Sequence, residues 1–106
     1  MTDVPMEIGP AELKARLGAV QVLDCREAWE VEIAKLAGSL DIPMNEVPAR
    51  AGELDAGRPV VVLCHHGGRS LAVARWLRAN GHPAAQSLAG GIDLWAAEID
   101  PSLARY

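Results

Sequence analysis

The chain has no phenylalanine and one tyrosine, so among aromatic residues the packing falls chiefly to Trp29, Trp76 and Trp95, expected in the core or at its rim. Cysteine is scarce as well. Cys25 and Cys64 each end a predicted strand, which argues for free thiols rather than a structural disulfide. Positive charge is not in excess: 10 Lys plus Arg stand against 14 Asp plus Glu, a net charge of -4. That balance excludes a broad electrostatic attraction to nucleic acid or to an anionic membrane, so any anion must be bound locally. No apolar run approaches the length of a membrane span. The amino-terminal MTDVPMEIGP lacks the basic region and long apolar run of a signal peptide, so the expected compartment is the cytoplasm. Internal repeats, low-complexity tracts and interdomain linkers are also lacking. What remains is 106 residues, enough for one domain with a sizeable core and no staples.

The elements alternate. Gly9-Pro10 opens a short helix with proline in its first turn; Leu13 and Leu17 share a face, Glu12 and Arg16 are spaced to pair, and Gly18 closes it. Residues 19–25 (AVQVLDC) read as a strand, followed by a brief helical stretch over 28–34. A short strand at 39–42 is stopped by Pro43. Asn45 is then a candidate cap for a helix that Pro48 and Gly52 disturb. Val60-Val61-Val62-Leu63, apolar without interruption, suits a strand buried on both faces of a parallel sheet. A helix with Val73, Ala74 and Leu77 on one face ends at Asn80-Gly81, a left-handed stop. Residues 84–88 form the last predicted strand, Gly90-Gly91 a turn, and Ile92, Trp95, Ala96 and Ile99 line one side of a closing helix. The pattern predicts an α/β fold: an open, mostly parallel central sheet of about five strands with helices on both faces, binding ligand at the carboxyl ends of its strands. Asp24, Cys25 and Cys64 all fall at that edge.

The stretch from Cys64 to Ser70 (CHHGGRS) joins the central strand to a helix. A free cysteine is mostly protonated at neutral pH, whereas a helix amino terminus and nearby cations favour the thiolate, and Cys64 has both in sequence. Gly67 and Gly68 let the backbone turn its N–H groups inward as an anion nest, and Arg69 adds a fixed positive charge. With His65 and His66 the loop suits an oxyanion such as a sulfur oxyacid or a phosphate. Three consecutive residues rarely converge on one tetrahedral metal site, so no metal is expected at Cys64, His65 and His66. His82, between Gly81 and Pro83, reads as a surface turn residue.

Four motifs in order, LDCRE, GSLDIP, VVVLCHHGGRS and LAGGIDLW, make the chain resemble the rhodanese family of sulfurtransferases over nearly its whole length. The resemblance implies one rhodanese domain over 1–106, with its active-site loop at 64–70 and a short tail at 101–106. It implies that Cys64 attacks a sulfane sulfur, for example that of thiosulfate, carries it as a persulfide and hands it to a thiophilic acceptor. The backbone of His65, His66, Gly67, Gly68, Arg69 and Ser70 would cradle the sulfur, with no cofactor beyond the covalent intermediate. Asp24 and Arg26 match the family's structural pair supporting that loop. A small sulfur donor, an acceptor and a sulfur-trafficking protein are the implied partners, with no nucleic acid and no membrane. Related phosphatases carry one more residue between cysteine and arginine; here only four intervene, which disfavours phosphatase or arsenate reductase chemistry. The chain departs from the family at Cys25, commonly valine, at Lys35, often histidine, and at Ala37, commonly proline.

Two other readings compete. In one, the domain is a sulfur carrier loaded by a partner protein and never meets thiosulfate. In the other, Cys25 and Cys64 form a redox sensor pair, which requires their Cα atoms to lie within roughly 7 Å. In either enzymatic or carrier form, Cys25 near Cys64 could divert the persulfide into a disulfide.

Overall fold

A computed structural model describes residues 4–106. Five strands, β1 (Glu7–Ile8), β2 (Gln21–Asp24), β3 (Leu40–Asp41), β4 (Val60–Leu63) and β5 (Gln86–Leu88), form one sheet in the order β1-β5-β4-β2-β3. Every pairing is parallel, so the fold is α/β as the alternation implies. The uninterrupted Val60–Leu63 run lies at the sheet's centre between β2 and β5, and all four residues are buried.

Side chains alternate across the sheet and so make two cores. Leu23, Cys25, Val60, Val62 and Cys64 point to one side, against Val73, Ala74 and Leu77 of α4 (Gly68–Ala79) and Val47 of α3 (Val47–Arg50). Val22, Val61 and Leu63 point to the other, against Leu13 of α1 (Pro10–Arg16) and Ile92 and Trp95 of α5 (Gly91–Glu98). The remaining helix, α2 (Ala28–Ile33), follows β2 and ends before Ala34.

Several sequence expectations shift. β1 escapes a periodicity reading because two residues are too few to show one; it exists through its pairing with Ser87 and Leu88. Asn45 does not cap α3: it lies exposed inside a 3-10 turn, Met44–Glu46, and Glu46 precedes the helix without a side-chain cap. Pro48 is accommodated in the first turn, where its missing N–H costs no hydrogen bond. Leu17 falls at the carboxyl cap of α1 and is exposed, unlike Leu13, whereas Glu12 and Arg16 do pair at 3.7 Å. Trp95 lies in the core on the α5 side of the sheet and Trp76 packs half-buried against the opposite core, on the α4 side, but Trp29 is exposed. Among the described residues, no helix is long and apolar enough to cross a membrane.

Candidate active site

At the carboxyl end of β4 the chain turns sharply. Gly67 adopts a φ of +114°, open to glycine, and α4 begins at the next residue. The turn folds two backbone donors onto Cys64: its Sγ accepts hydrogen bonds from the N–H of Gly67 at 3.1 Å and of Ser70 at 3.3 Å. These are donors that a helix start leaves without intrahelical partners. The Cys64 thiol also lies 3.3 Å from Ser70 Oγ, which donates to the Gly67 carbonyl at 3.2 Å and lies 2.7 Å from Ser87 Oγ of β5. The sulfur is therefore fixed by two amides and a hydroxyl pair at the floor of the loop, with the residue almost fully buried. Amide dipoles so aimed stabilise negative charge on a sulfur held there.

The loop's carbonyls are tied from the opposite side. The N–H of Ile92 donates to the Cys64 carbonyl at 2.9 Å, and that of Asp93 to the His65 carbonyl at 3.2 Å. This close approach explains the second glycine of the Gly90-Gly91 pair. Gly91 has a φ of +62°, and a Cβ there would run into the carbonyls of His65 and Cys64. The start of α5 thus takes up the loop's acceptors while its donors remain turned toward the sulfur.

Charged side chains form a wall beside the loop. Asp24 and Arg26 are a fully buried ion pair, with Nε to Oδ1 at 3.0 Å and Nη2 to Oδ2 at 2.7 Å. Arg26 also donates to the carbonyls of Glu30 and Ala34 and to the Tyr106 hydroxyl. That hydroxyl donates to Glu30 Oε1 at 2.9 Å. Glu30 in turn receives the Arg69 guanidinium through both oxygens, at 2.7 and 2.8 Å. The hydrogen bonds from Arg69 hold the Glu30 carboxyl down at about 2, against an ordinary 4.5. Arg69 is thereby oriented by protein rather than left to project freely, and, among the described residues, Asp24 and Arg26 are linked to it through Glu30 and Tyr106.

The histidines sit at the rim. His65 is stacked between Tyr106, with ring centroids 3.9 Å apart, and His66, at 3.8 Å. Among the described residues, the Nε2 of His65 is buried without a hydrogen-bond partner. His66 is exposed and lies 3.9 Å from Asp93, whose carboxylate is gripped by Arg105 at 3.0 Å through both oxygens. The potential ligand atoms of His65, His66 and Asp93 come within 4.8 Å of one another. Lys35 lies apart, paired with Asp41 at 2.6 Å on the surface.

The second cysteine is Cys64's neighbour. Asp24 is in register with Leu63, and the Cys25 N–H donates to the Leu63 carbonyl at 3.0 Å, so the two cysteines continue adjacent strands side by side. Both are free and buried. Burial, helped by the charges of Cys64 and Asp24, pushes the Cys25 thiol up to about 12.

The structure gathers Cys64, Gly67, Ser70 and the Asp24–Arg26 pair around one strand edge. It adds residues that the sequence reading passed over. Glu30 signals itself only through the Glu27-x-x-Glu30 spacing, which here forms a capping box on α2. Ser87 is a polar residue inside a buried strand. Tyr106 carries no local signal at all, because its role depends on where the tail returns.

Comparison with known proteins places this geometry in a family. Residues 9–98 match the model of the rhodanese-like domain. The thiosulfate sulfurtransferase GlpE of Pseudomonas aeruginosa is 30% identical over 96 residues, covering 90% of this chain and 87% of that protein. The chloroplastic rhodanese-like/PpiC domain-containing protein 12 of Arabidopsis thaliana is 36% identical over 90 residues, covering 81% of this chain. There, however, the match spans only 30% of the relative's length. A rhodanese-related protein from Thermoplasma volcanium superposes with a TM-score of 0.84 at 32% identity, over 90% of this chain and 94% of that one. With residues 9–98 matched by the family model and a relative 30% identical over 90% of this chain, the protein belongs to the rhodanese-like domain family.

Proposed function

We propose that the protein is a sulfurtransferase that carries a sulfane sulfur on Cys64 from a donor such as thiosulfate to a thiophilic acceptor. The observation that carries this reading is the convergence of the Gly67 and Ser70 N–H groups on Cys64 Sγ, in a loop with four residues between Cys64 and Arg69. The Cys64 thiolate attacks the outer sulfur of the donor. A Cys–S–S bond forms, the S–S bond of thiosulfate breaks, and its electron pair leaves with sulfite. The inward-facing amides then stabilise the terminal charge of the persulfide, and an acceptor nucleophile removes the outer sulfur and restores the thiolate. No cofactor enters these steps. Physiologically the donor or acceptor is proposed to belong to a sulfur-trafficking system.

Incubation with thiosulfate is expected to add one sulfur atom to the intact protein, and cyanide to remove it as thiocyanate. Cys64→Ala should do neither; sulfur transfer that persists in this variant would overturn the assignment. Slow turnover with small donors but fast loading by a persulfide-bearing protein would move the reading from enzyme to carrier, with Cys64 in the same role.

A further inference from the structure

From the side-by-side placement of Cys25 and Cys64 we infer a second activity: Cys25 discharges the Cys64 persulfide internally, releasing hydrogen sulfide and leaving a Cys25–Cys64 disulfide. This rests on the proposed persulfide chemistry.

The placement follows from the sheet. Asp24 is paired with Leu63, and Cys25 is hydrogen-bonded to the Leu63 carbonyl, so Cys25 and Cys64 are the next residues on neighbouring parallel strands. Adjacent strands lie roughly 4.8 Å apart, within the window of about 4.4 to 6.8 Å between Cα atoms that a disulfide spans. Alternation also puts both side chains on one face. Leu23 and Cys25 share a core with Val60, Val62 and Cys64, whereas Val22, Val61 and Leu63 belong to the opposite core. The Cys25 thiol lies close enough to feel the charges of Cys64 and of Arg69. Cys25 is 1% exposed, so a sulfur on Cys64 is an electrophile it can meet without leaving the core.

The reaction balances without an outside oxidant. The sulfur of Cys25 attacks the inner sulfur of the persulfide, which is Cys64 Sγ. The new Cys25–Cys64 bond forms as the bond to the outer sulfur breaks. That sulfur takes the electron pair and the Cys25 proton and departs as HS⁻. It is reduced by two electrons, and each cysteine sulfur gives up one. A small dithiol would reduce the disulfide and return the protein to its starting state, so that thiosulfate and dithiol together become sulfite, sulfide and oxidised dithiol. Burial keeps Cys25 predominantly as thiol at neutral pH, which makes this discharge slow beside transfer to a good acceptor. Sulfide release is then the fate of a persulfide that finds no acceptor.

The test loads the whole protein with thiosulfate without oxygen, removes excess donor, and follows intact mass and released sulfide. Wild type should lose the added sulfur, end two hydrogens lighter than its starting mass, and release one sulfide per persulfide. Cys25→Val and Cys25→Ala should hold the persulfide at least about tenfold longer, because an intramolecular attacker is lost. Equal persulfide lifetimes in wild type and both variants, or sulfide without a disulfide, would overturn the inference. If thiosulfate loads none of the proteins, the sulfurtransferase reading fails, and the pair is judged by one equivalent of methyl methanethiosulfonate. Collapse of the Cys64 methyl disulfide into the internal disulfide, with loss of methanethiol, only where Cys25 is present supports the inference; a stable mixed disulfide in wild type defeats it.

Discussion

The strands β2 and β4 lie side by side in register and each is followed directly by a cysteine, yet they close in opposite ways. After β2 the chain buries a complete ion pair, Asp24 with Arg26, whose remaining donors are taken by the carbonyls of Glu30 and Ala34 and by Tyr106. After β4 the chain buries no charge of its own at the strand end; the turn at Gly67 directs backbone donors onto Cys64. One end is built from side chains and is saturated. The other is built from backbone, and its donors converge on an atom that can change its bonding. The difference suggests a division of labour, in which the β2 end supplies a rigid wall and the β4 end supplies chemistry.

The largest expected effect tests that division directly. Arg26→Ala leaves Asp24 buried without its partner and should cost about 3 to 5 kcal/mol in urea unfolding, whereas Cys64→Ala should cost about 1 kcal/mol and remove sulfur loading. Similar losses of stability from both substitutions would break the contrast.

A smaller effect comes from Glu30, the link between the two ends. Its folded carboxyl sits at about 2, depressed by Arg69 from an unfolded value near 4.5. A depressed carboxyl contributes stability above its unfolded value and loses it as pH falls through the folded one. Wild type should therefore lose about 3 kcal/mol between pH 4.5 and 2 through this group. Glu30→Gln should lack that part of the acid dependence and be less stable at neutral pH, as read by urea titrations at several pH values. An acid profile unchanged by the substitution would mean that Arg69 is held by something other than Glu30.

Why one end is easier to read than the other also follows from how each is built. The β4 loop is local: a buried apolar run, a cysteine, two glycines and a helix start within eleven residues make both the fold and the cradle legible in order. The family motifs then identify Asp24 and Arg26 by position. What they do cannot be read that way, because Arg26 reaches the loop through Tyr106, 80 residues away, and Arg69 meets Glu30 across 39. Likewise, Gly90-Gly91 reads simply as a turn until the carbonyls of Cys64 and His65 are seen pressed against Gly91. The nearness of Cys25 to Cys64 depends on register between strands separated by 35 residues, which no local pattern encodes. Strand β1 is hidden for the same reason, being defined by its neighbour rather than by its own two residues.

The smallest predicted effect sharpens the idea that the β4 end works through backbone. Ser87 Oγ lies 2.7 Å from Ser70 Oγ, which also donates to the Gly67 carbonyl and sits 3.3 Å from the nucleophile. Ser87→Ala removes one buried hydrogen bond and leaves Ser70 its carbonyl acceptor, so the expected cost is about 1 kcal/mol, or a melting point lower by roughly 4 °C. The Gly67 and Ser70 amides stay in place. Loading by thiosulfate, followed by intact mass, should accordingly remain within about fivefold of wild type, since a shift of 1 kcal/mol or less is all that a displaced hydroxyl can impose. A loss of loading approaching that of Cys64→Ala, with stability little changed, would instead give the hydroxyl pair a direct part in the chemistry at the sulfur, and the β4 end would then depend on side chains as much as the β2 end does.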